Sequence, residues 1–159
     1  VGAAPYLMFI PDKDGDDVPD GEPEILLDGW GYQDTHETLN AFTWGPDGWL
    51  YGCHGVFTHS RVGKPGTPDD ERVPFNAGIW RYHPTRHVFE VFAHGGSNQW
   101  GLDFDDHGQA FITTCVSKNG GGPVTHVEKH RDRCCLKFPF AYISNFLKIF
   151  IGDNRIFQF

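Results

Sequence analysis

A short acidic segment near the start of the chain carries carboxylates at a spacing that could bind a metal ion. Asp12, Asp14, Asp16 and Asp20 stand at relative positions 1, 3, 5 and 9 of residues 12–21. A turning backbone can aim such oxygens at one point, and calcium takes oxygen ligands. An EF-hand loop would need glycine at Asp17 and a bidentate glutamate two residues after Gly21, where proline stands. Two interpretations stay open, a structural calcium site and a solvated acidic turn.

A second group of polar residues precedes the sequence Trp-Gly-Pro-Asp-Gly-Trp at residues 44–49. It includes His36 and Asn40. A histidine is largely neutral at pH 7 because its unperturbed pKa is about 6.5, so it can act as a general base. The alternative interpretation of His36 is a histidine that makes one hydrogen bond within a loop.

One hairpin sequence occurs twice. Residues 44–52 read Trp-Gly-Pro-Asp-Gly-Trp-Leu-Tyr-Gly and residues 104–111 read Phe-Asp-Asp-His-Gly-Gln-Ala-Phe, so that Gly48 is matched by Gly108 and Tyr51 by Phe111 at a constant offset of 60 residues. Asp-Gly supplies the positive φ angles of a tight turn at little steric cost. Repetition of one hairpin in a chain that reads as all-β is typical of a β-propeller, in which the loops that enter the innermost strands cluster at one end of the channel.

The length limits how much of a propeller the chain can form. At about 40 to 60 residues per blade, 159 residues hold two or three blades, and a closed propeller needs at least four. We therefore expect a fragment of a longer protein, with a propeller part at residues 1–116. Residues 117–159 have seven basic and three acidic side chains and no recognisable motif. We expect them to form an atypical tail that is a separate element, disordered, or not native to the domain.

Composition excludes some classes of function. The net charge is −8 and residues 1–37 hold ten acidic side chains against one lysine, which argues against nucleic acid as a partner. No apolar run approaches the roughly 18 residues of a membrane-spanning helix. Four cysteines are too few and too scattered for a disulfide scaffold, and Cys53 is either bridged to Cys115 or a free buried thiol.

At residues 36–52 and 95–114 the chain resembles a known family. It is similar to the propeller part of proteins named as membrane-bound dehydrogenases of planctomycete-type bacteria, the PVC-type haem-binding proteins, which often carry a c-type haem domain. More distantly it resembles soluble glucose and sorbosone dehydrogenases, six-bladed propellers that use pyrroloquinoline quinone with calcium. The resemblance covers residues 6–116. It implies a partial six-bladed β-propeller with antiparallel sheets, a periplasmic or secreted location, and a c-type haem domain in the parent protein.

The resemblance also implies roles for particular residues. A histidine before the Gly-Pro-Asp-Gly hairpin is the base in the similar enzymes, which places that role on His36. Their Arg-Asn-Pro-x-Gly-Leu stretch contacts the quinone, and residues 97–102 here read Ser-Asn-Gln-Trp-Gly-Leu. Asn98 therefore matches, whereas Ser97 replaces the arginine. Asn40 precedes the first hairpin roughly as Asn98 precedes the second.

An anionic quinone needs cationic contacts, because charge-assisted hydrogen bonds are the stronger kind. With Ser97 in place of arginine, Arg81, Arg61 or Arg86 would have to supply them, and we assign this role to Arg81.

Two functions follow. The first is a quinone-linked dehydrogenase in which a sugar or alcohol loses hydride while His36 takes the hydroxyl proton. The second is a non-catalytic propeller that serves as a binding module or as the scaffold of an electron-transfer domain, since propellers host many functions. A calcium-stabilised adhesion repeat is a third and weaker interpretation.

Overall fold

The computed structural model describes residues 1–114, 124–129 and 134–137, which form β-strands joined by turns and a single 3₁₀ turn at Asp69–Glu71. The all-β prediction is therefore confirmed for the described part of the chain. The strands are β1 Gly2–Ala3, β2 Tyr6–Phe9, β3 Glu24–Leu27, β4 Asn40–Trp44, β5 Leu50–His54, β6 Ser60–Val62, β7 Val73–Phe75, β8 Gly78–His83, β9 Val88–His94, β10 Gln99–Phe104, β11 Ala110–Thr114, β12 Val124–Lys129 and β13 Cys134–Lys137.

The strands form three sheets. The largest has the order β10-β11-β12-β13-β9-β8-β5-β4 and consists of two four-stranded antiparallel meanders, β4-β5-β8-β9 and β10-β11-β12-β13. A single parallel pair, Cys135 with His94, joins them. β1, β2 and β3 form a separate antiparallel sheet, and β6 pairs with β7 in the excursion between β5 and β8.

The two predicted hairpins are confirmed and have equivalent turns. In the first, the Gly48 N–H donates to the Gly45 carbonyl at 3.0 Å, and in the second the Gly108 N–H donates to the Asp105 carbonyl at 2.9 Å. The φ angles of Gly48 and Gly108 are 78° and 74°. Both lie in the left-handed region that glycine adopts without steric cost, so Asp-Gly in the first hairpin and the matching Gly108 in the second correctly located the turns.

Aromatic side chains fill much of the core. Trp80, in the centre of β8, is fully buried and lies over the backbone of Gly52, its register partner in β5. A Cβ atom at Gly52 would approach the Trp80 ring to 2.3 Å, so this position requires glycine. Cys53 is a free buried thiol, and burial raises its pKa to about 12. Of the two alternatives for Cys53, the structure has the free thiol.

The predicted boundary at residue 116 falls between β11 and β12. β12 pairs antiparallel with β11, and β13 pairs with β12. Residues 124–129 and 134–137 of the predicted tail thus lie in the same sheet as the propeller part. The rest of residues 117–159 lies outside the described residues, and its assignment as non-native or disordered stays a prediction. The described part of the chain contains no helix with the length and hydrophobicity of a membrane span.

Candidate functional site

Three connecting segments meet where β4 and β10 begin: the loop before β4, the segment after β5, and the loop before β10. Backbone hydrogen bonds join them, from the Gly55 N–H to the Glu37 carbonyl at 2.8 Å and from the Val56 N–H to the Ser97 carbonyl at 3.1 Å. β4 and β10 begin the two meanders, and β10 lies against β4 and β5, so the loops that enter β4 and β10 come together. The sequence predicted this clustering.

The structure brings His36 and Asn98 into direct contact. The Asn98 side-chain Nδ2 lies 3.1 Å from His36 Nε2, although 62 positions separate the residues in the chain. The Asp34 carboxylate forms an ion-pair contact with His36 Nδ1 on the other side of the ring. A carboxylate on one ring nitrogen fixes the tautomer, with the proton on Nδ1 and a lone pair on Nε2. His36 thus has the orientation that a general base requires.

Two further residues hold this arrangement in place. The buried Thr58 hydroxyl accepts the Asp34 N–H at 3.1 Å and donates to the Asp34 carbonyl at 2.9 Å. The Trp100 ring stacks on His36 with 6.2 Å between centroids and 13° between planes. Trp100 is 53% exposed, so about half of its surface is accessible to solvent beside the histidine.

Sequence reasoning missed Asp34, Thr58 and Trp100. The Asp-Thr-His spacing of residues 34–36 is a usable signal, because two positions in a turning loop can bring a carboxylate back to the imidazole. Trp100 gives no such signal, since a tryptophan near a strand is more often a core residue.

Asn40 is placed differently from Asn98. It is buried, its Nδ2 donates to the Glu37 carbonyl at 3.2 Å, and its Oδ1 has no partner. Its neighbours Leu39 and Ala41 have φ angles of 47° and 53°, and a register shift follows in β4. Positive φ at non-glycine residues costs free energy and is concentrated at functional sites. Asn40 thus lies in a strained segment, four residues after His36.

Arg81 lies elsewhere, in the middle of β8, where its register partners are Tyr51 and Glu90. It donates to Glu90 at 2.6 and 2.9 Å, to Asp47 at 3.2 Å and to the Tyr51 hydroxyl at 3.2 Å. Its guanidinium also lies 4.1 Å from the Trp49 ring centroid. Burial raises the pKa of Tyr51 to about 12, so its hydroxyl stays protonated and donates to Asp47. Arg81 therefore binds side chains of its own sheet.

The other two candidate cations are also engaged within the fold. Arg61 pairs with Asp69 at 2.9 Å, and Arg86 stacks over Trp49 at 5.0 Å. In the described part of the chain none of the three arginines contacts His36 or Asn98, and Ser97 brings no charge. An anionic quinone needs a cation beside it, so the described residues do not fit pyrroloquinoline quinone.

The acidic segment forms a turn that bonds to itself. The Asp12 carboxylate accepts the N–H groups of Gly15, Asp16 and Asp17 at 2.8 to 3.3 Å. One oxygen each from Asp12, Asp14 and Asp20 lie within 4.8 Å of one another, and all three residues are exposed.

Asp16 lies outside this group of three, and its carboxylate accepts the Val18 N–H at 2.9 Å. These backbone hydrogen bonds to Asp12 and Asp16 stabilise an acidic turn without a bound ion. The three carboxylate oxygens that lie close together would also suit calcium. Calcium at this turn stays a prediction.

The chain belongs to the family described as a domain of unknown function, DUF7133. The match covers residues 1–139 and so includes β12 and β13. No curated protein matches the chain. Membership in DUF7133 assigns no activity, so the function has to be argued from the geometry around His36.

Proposed function

We propose that this DUF7133 chain is part of a six-bladed β-propeller that binds a sugar or alcohol and removes a hydroxyl proton with His36, as part of a dehydrogenase. The two meanders, β4-β5-β8-β9 and β10-β11-β12-β13, would be two blades, and β1-β2-β3 would belong to a third. Together with the family resemblance, this proposal includes a periplasmic or secreted location and a c-type haem domain in the parent protein.

The arrangement of Asp34, His36 and Asn98 is the observation that carries the proposal. His36 Nε2 presents a lone pair, and Asn98 Nδ2 donates to it at 3.1 Å. A substrate hydroxyl that takes the place of the amide N–H would give its proton to Nε2. Asp34 would then stabilise the imidazolium through Nδ1, because the two already form an ion-pair contact.

The surroundings of His36 suit a carbohydrate. The imidazole is 58% exposed, and the exposed part of the Trp100 ring beside it offers the flat apolar surface on which a sugar ring can stack. Once a substrate hydroxyl has displaced it from His36, Asn98 Nδ2 can donate to a neighbouring hydroxyl. The hydride of the substrate carbon would pass to an organic two-electron acceptor, a role that the added redox dye takes in the assay below. We derive no step through pyrroloquinoline quinone because no described cation accompanies it.

The lack of that cation favours a second candidate function. A non-catalytic module would use the same three side chains to bind a polyol, or would support an electron-transfer domain. Asn98 already occupies the lone pair of His36, as expected of a site that holds a ligand by hydrogen bonds alone. A dehydrogenase would oxidise the sugar or alcohol, whereas a binding module would bind it without turnover.

The test is a dye-linked dehydrogenase assay of the full-length protein against a panel of sugars and alcohols. We expect His36→Gln and Asp34→Asn each to lower kcat by about 100-fold or more, because a positioned base contributes that much. His107→Gln is the matched control, since His107 is exposed in the turn of the second hairpin. Unchanged turnover in His36→Gln would exclude His36 as the base. Calorimetric sugar binding without turnover would establish the binding module instead.

A further inference from the structure

Buried oxygen atoms without hydrogen-bond partners are concentrated where β4 and β10 begin. Among the described residues, six buried side-chain nitrogen or oxygen atoms lack a partner, and five of them are oxygens in these two places. They are Glu37 Oε2, Thr38 Oγ1, Asn40 Oδ1, Asn98 Oδ1 and Gln99 Oε1. Buried polar atoms are normally paired, so these oxygens need donors or a cation from outside the described side chains.

Glu37 brings a negative charge into this cluster. The residue is fully buried, and its Oε1 accepts the Phe57 N–H at 2.6 Å. Its Oε2 lies against Gly55, where a Cβ atom would come within 1.8 Å of that oxygen. Glu37 has no ion pair with any described residue. Burying a carboxylate without a cation is costly, and water relieves that cost only in part.

The three carboxamides present their oxygens because their nitrogens are already engaged. Asn40 Nδ2 donates to the Glu37 carbonyl, and Gln99 Nε2 donates to the Gly95 carbonyl. Rotating either amide would set oxygen against oxygen. Asn98 Nδ2 donates to the His36 lone pair, which Asp34 fixes on Nε2. All three oxygens are therefore acceptors without donors.

Hydrogen bonds between the loops join the segments that carry these residues. Asn98 bonds to His36, the neighbour of Glu37. Val56 bonds to the Ser97 carbonyl, and the next residue, Phe57, bonds to the Glu37 carboxylate. Two links thus join the segment that carries Glu37 to the segment that carries Asn98 and Gln99. Equivalent positions of the two meanders contribute the same kind of ligand atom.

We propose that these loops bind a hard divalent cation of the calcium type, with Glu37 as the charged ligand and the side-chain oxygens of Asn40, Asn98 and Gln99 as neutral ligands. An all-oxygen set with carboxylate and amide groups is what calcium takes. A bare cation fits atoms that solvent does not reach, whereas a hydroxyl of a sugar would need an open path. The site is distinct from the acidic turn and independent of proton transfer by His36.

The test is calorimetric titration of calcium into chelator-treated full-length protein without substrate. We expect Glu37→Gln, which keeps the acceptor for Phe57, to weaken binding by at least about 100-fold, as loss of a ligand exceeds the usual effect of an outer-shell change. Asp12→Asn, in the acidic turn, is the matched control and should leave this binding unchanged. Thermal melting should show that calcium raises the Tm of the wild type and of Asp12→Asn but not that of Glu37→Gln.

Equal calcium affinity in the wild type and Glu37→Gln would overturn the assignment, as would absence of calcium binding by the wild type. Loss of binding in Asp12→Asn alone would place the ion at the acidic turn instead. If Glu37→Gln does not fold, Asn98→Ala, at a half-buried position, serves as the second variant. It removes a neutral ligand and should weaken calcium binding, and unchanged affinity would count against the site. His36→Gln should still bind calcium, which separates this inference from the proposed function.

Discussion

Replacing Arg81 by lysine should lower the free energy of unfolding, because Arg81 binds side chains of its own sheet and not a cofactor. Arg81 is 13% exposed and crosses from β5 to β9 through bonds to Tyr51, Asp47 and Glu90. All three guanidinium nitrogens donate in these bonds, and the guanidinium lies over Trp49. Lysine keeps the charge but has neither the planar fork nor the stacking surface.

The expected loss of unfolding free energy depends on how exposed the partners of Arg81 are. Glu90 and Asp47 are 45% and 41% exposed, so each ion pair is weakened by solvent and is worth about 0.2 to 1 kcal/mol. Loss of the stack on Trp49 costs about 0.5 to 1 kcal/mol. With the lost hydrogen bond to the Tyr51 hydroxyl, we expect Arg81→Lys to lower the free energy of unfolding by about 2 kcal/mol. In a chain of this size the Tm should fall by about 4 to 8 °C.

The assay is urea and thermal unfolding of wild type, Arg81→Lys and Arg86→Lys. Arg86→Lys is the matched control, because Arg86 also lies over Trp49 but makes no ion pair with any described residue; it should lose less than about 1 kcal/mol. If Arg81→Lys unfolds like the wild type, the network does not stabilise the sheet. Arg81 would then be free for the cofactor role that the sequence suggested.

Two further predictions concern the core. Gly52→Ala should lower the free energy of unfolding by about 3 kcal/mol, because its methyl group would displace the buried Trp80 ring. In a Trp80→Leu background the same change should cost less than about 1 kcal/mol. Equal costs in the two backgrounds, measured by urea unfolding, would argue against the steric explanation. Burial lowers the pKa of His54, whose ring nitrogens bond to Ser60 Oγ and the Gly55 carbonyl at 2.8 Å. Below pH 6.5 the unfolded chain therefore binds a proton that folded His54 does not. Stability should be complete above that pH and decline as pH falls towards the lower folded pKa. In His54→Gln the decline in unfolding free energy between pH 7.5 and 5 should be smaller, and an identical decline would mean that other groups cause it.

The local elements were largely predictable. Alternating residues around Trp80 and Phe89 indicated a hairpin, and β8 and β9 form it. The matching glycines Gly48 and Gly108 located the two repeated turns because glycine alone adopts their φ angles freely. Within the site, His36 and Asn98 were predicted from their places before equivalent strands.

Other parts of the site depended on neighbours distant in sequence. A cationic side chain in a strand can bind a ligand or other side chains of its sheet. Only the registers of β5 and β9 show that Arg81 faces Tyr51 and Glu90. Similarly, nothing in the loop sequences reveals that Thr58 fixes the backbone of Asp34.

The sequence by itself determined the strands, their turns and the repeat, because φ preferences and alternation act over a few residues. Tertiary structure decided which side chains meet. His36 and Asn98 touch across 62 positions because the two meanders pack with their first strands, β4 and β10, against each other. The same packing buries Glu37 and the amide oxygens without partners, since removal from water depends on the surroundings and not on the residue itself.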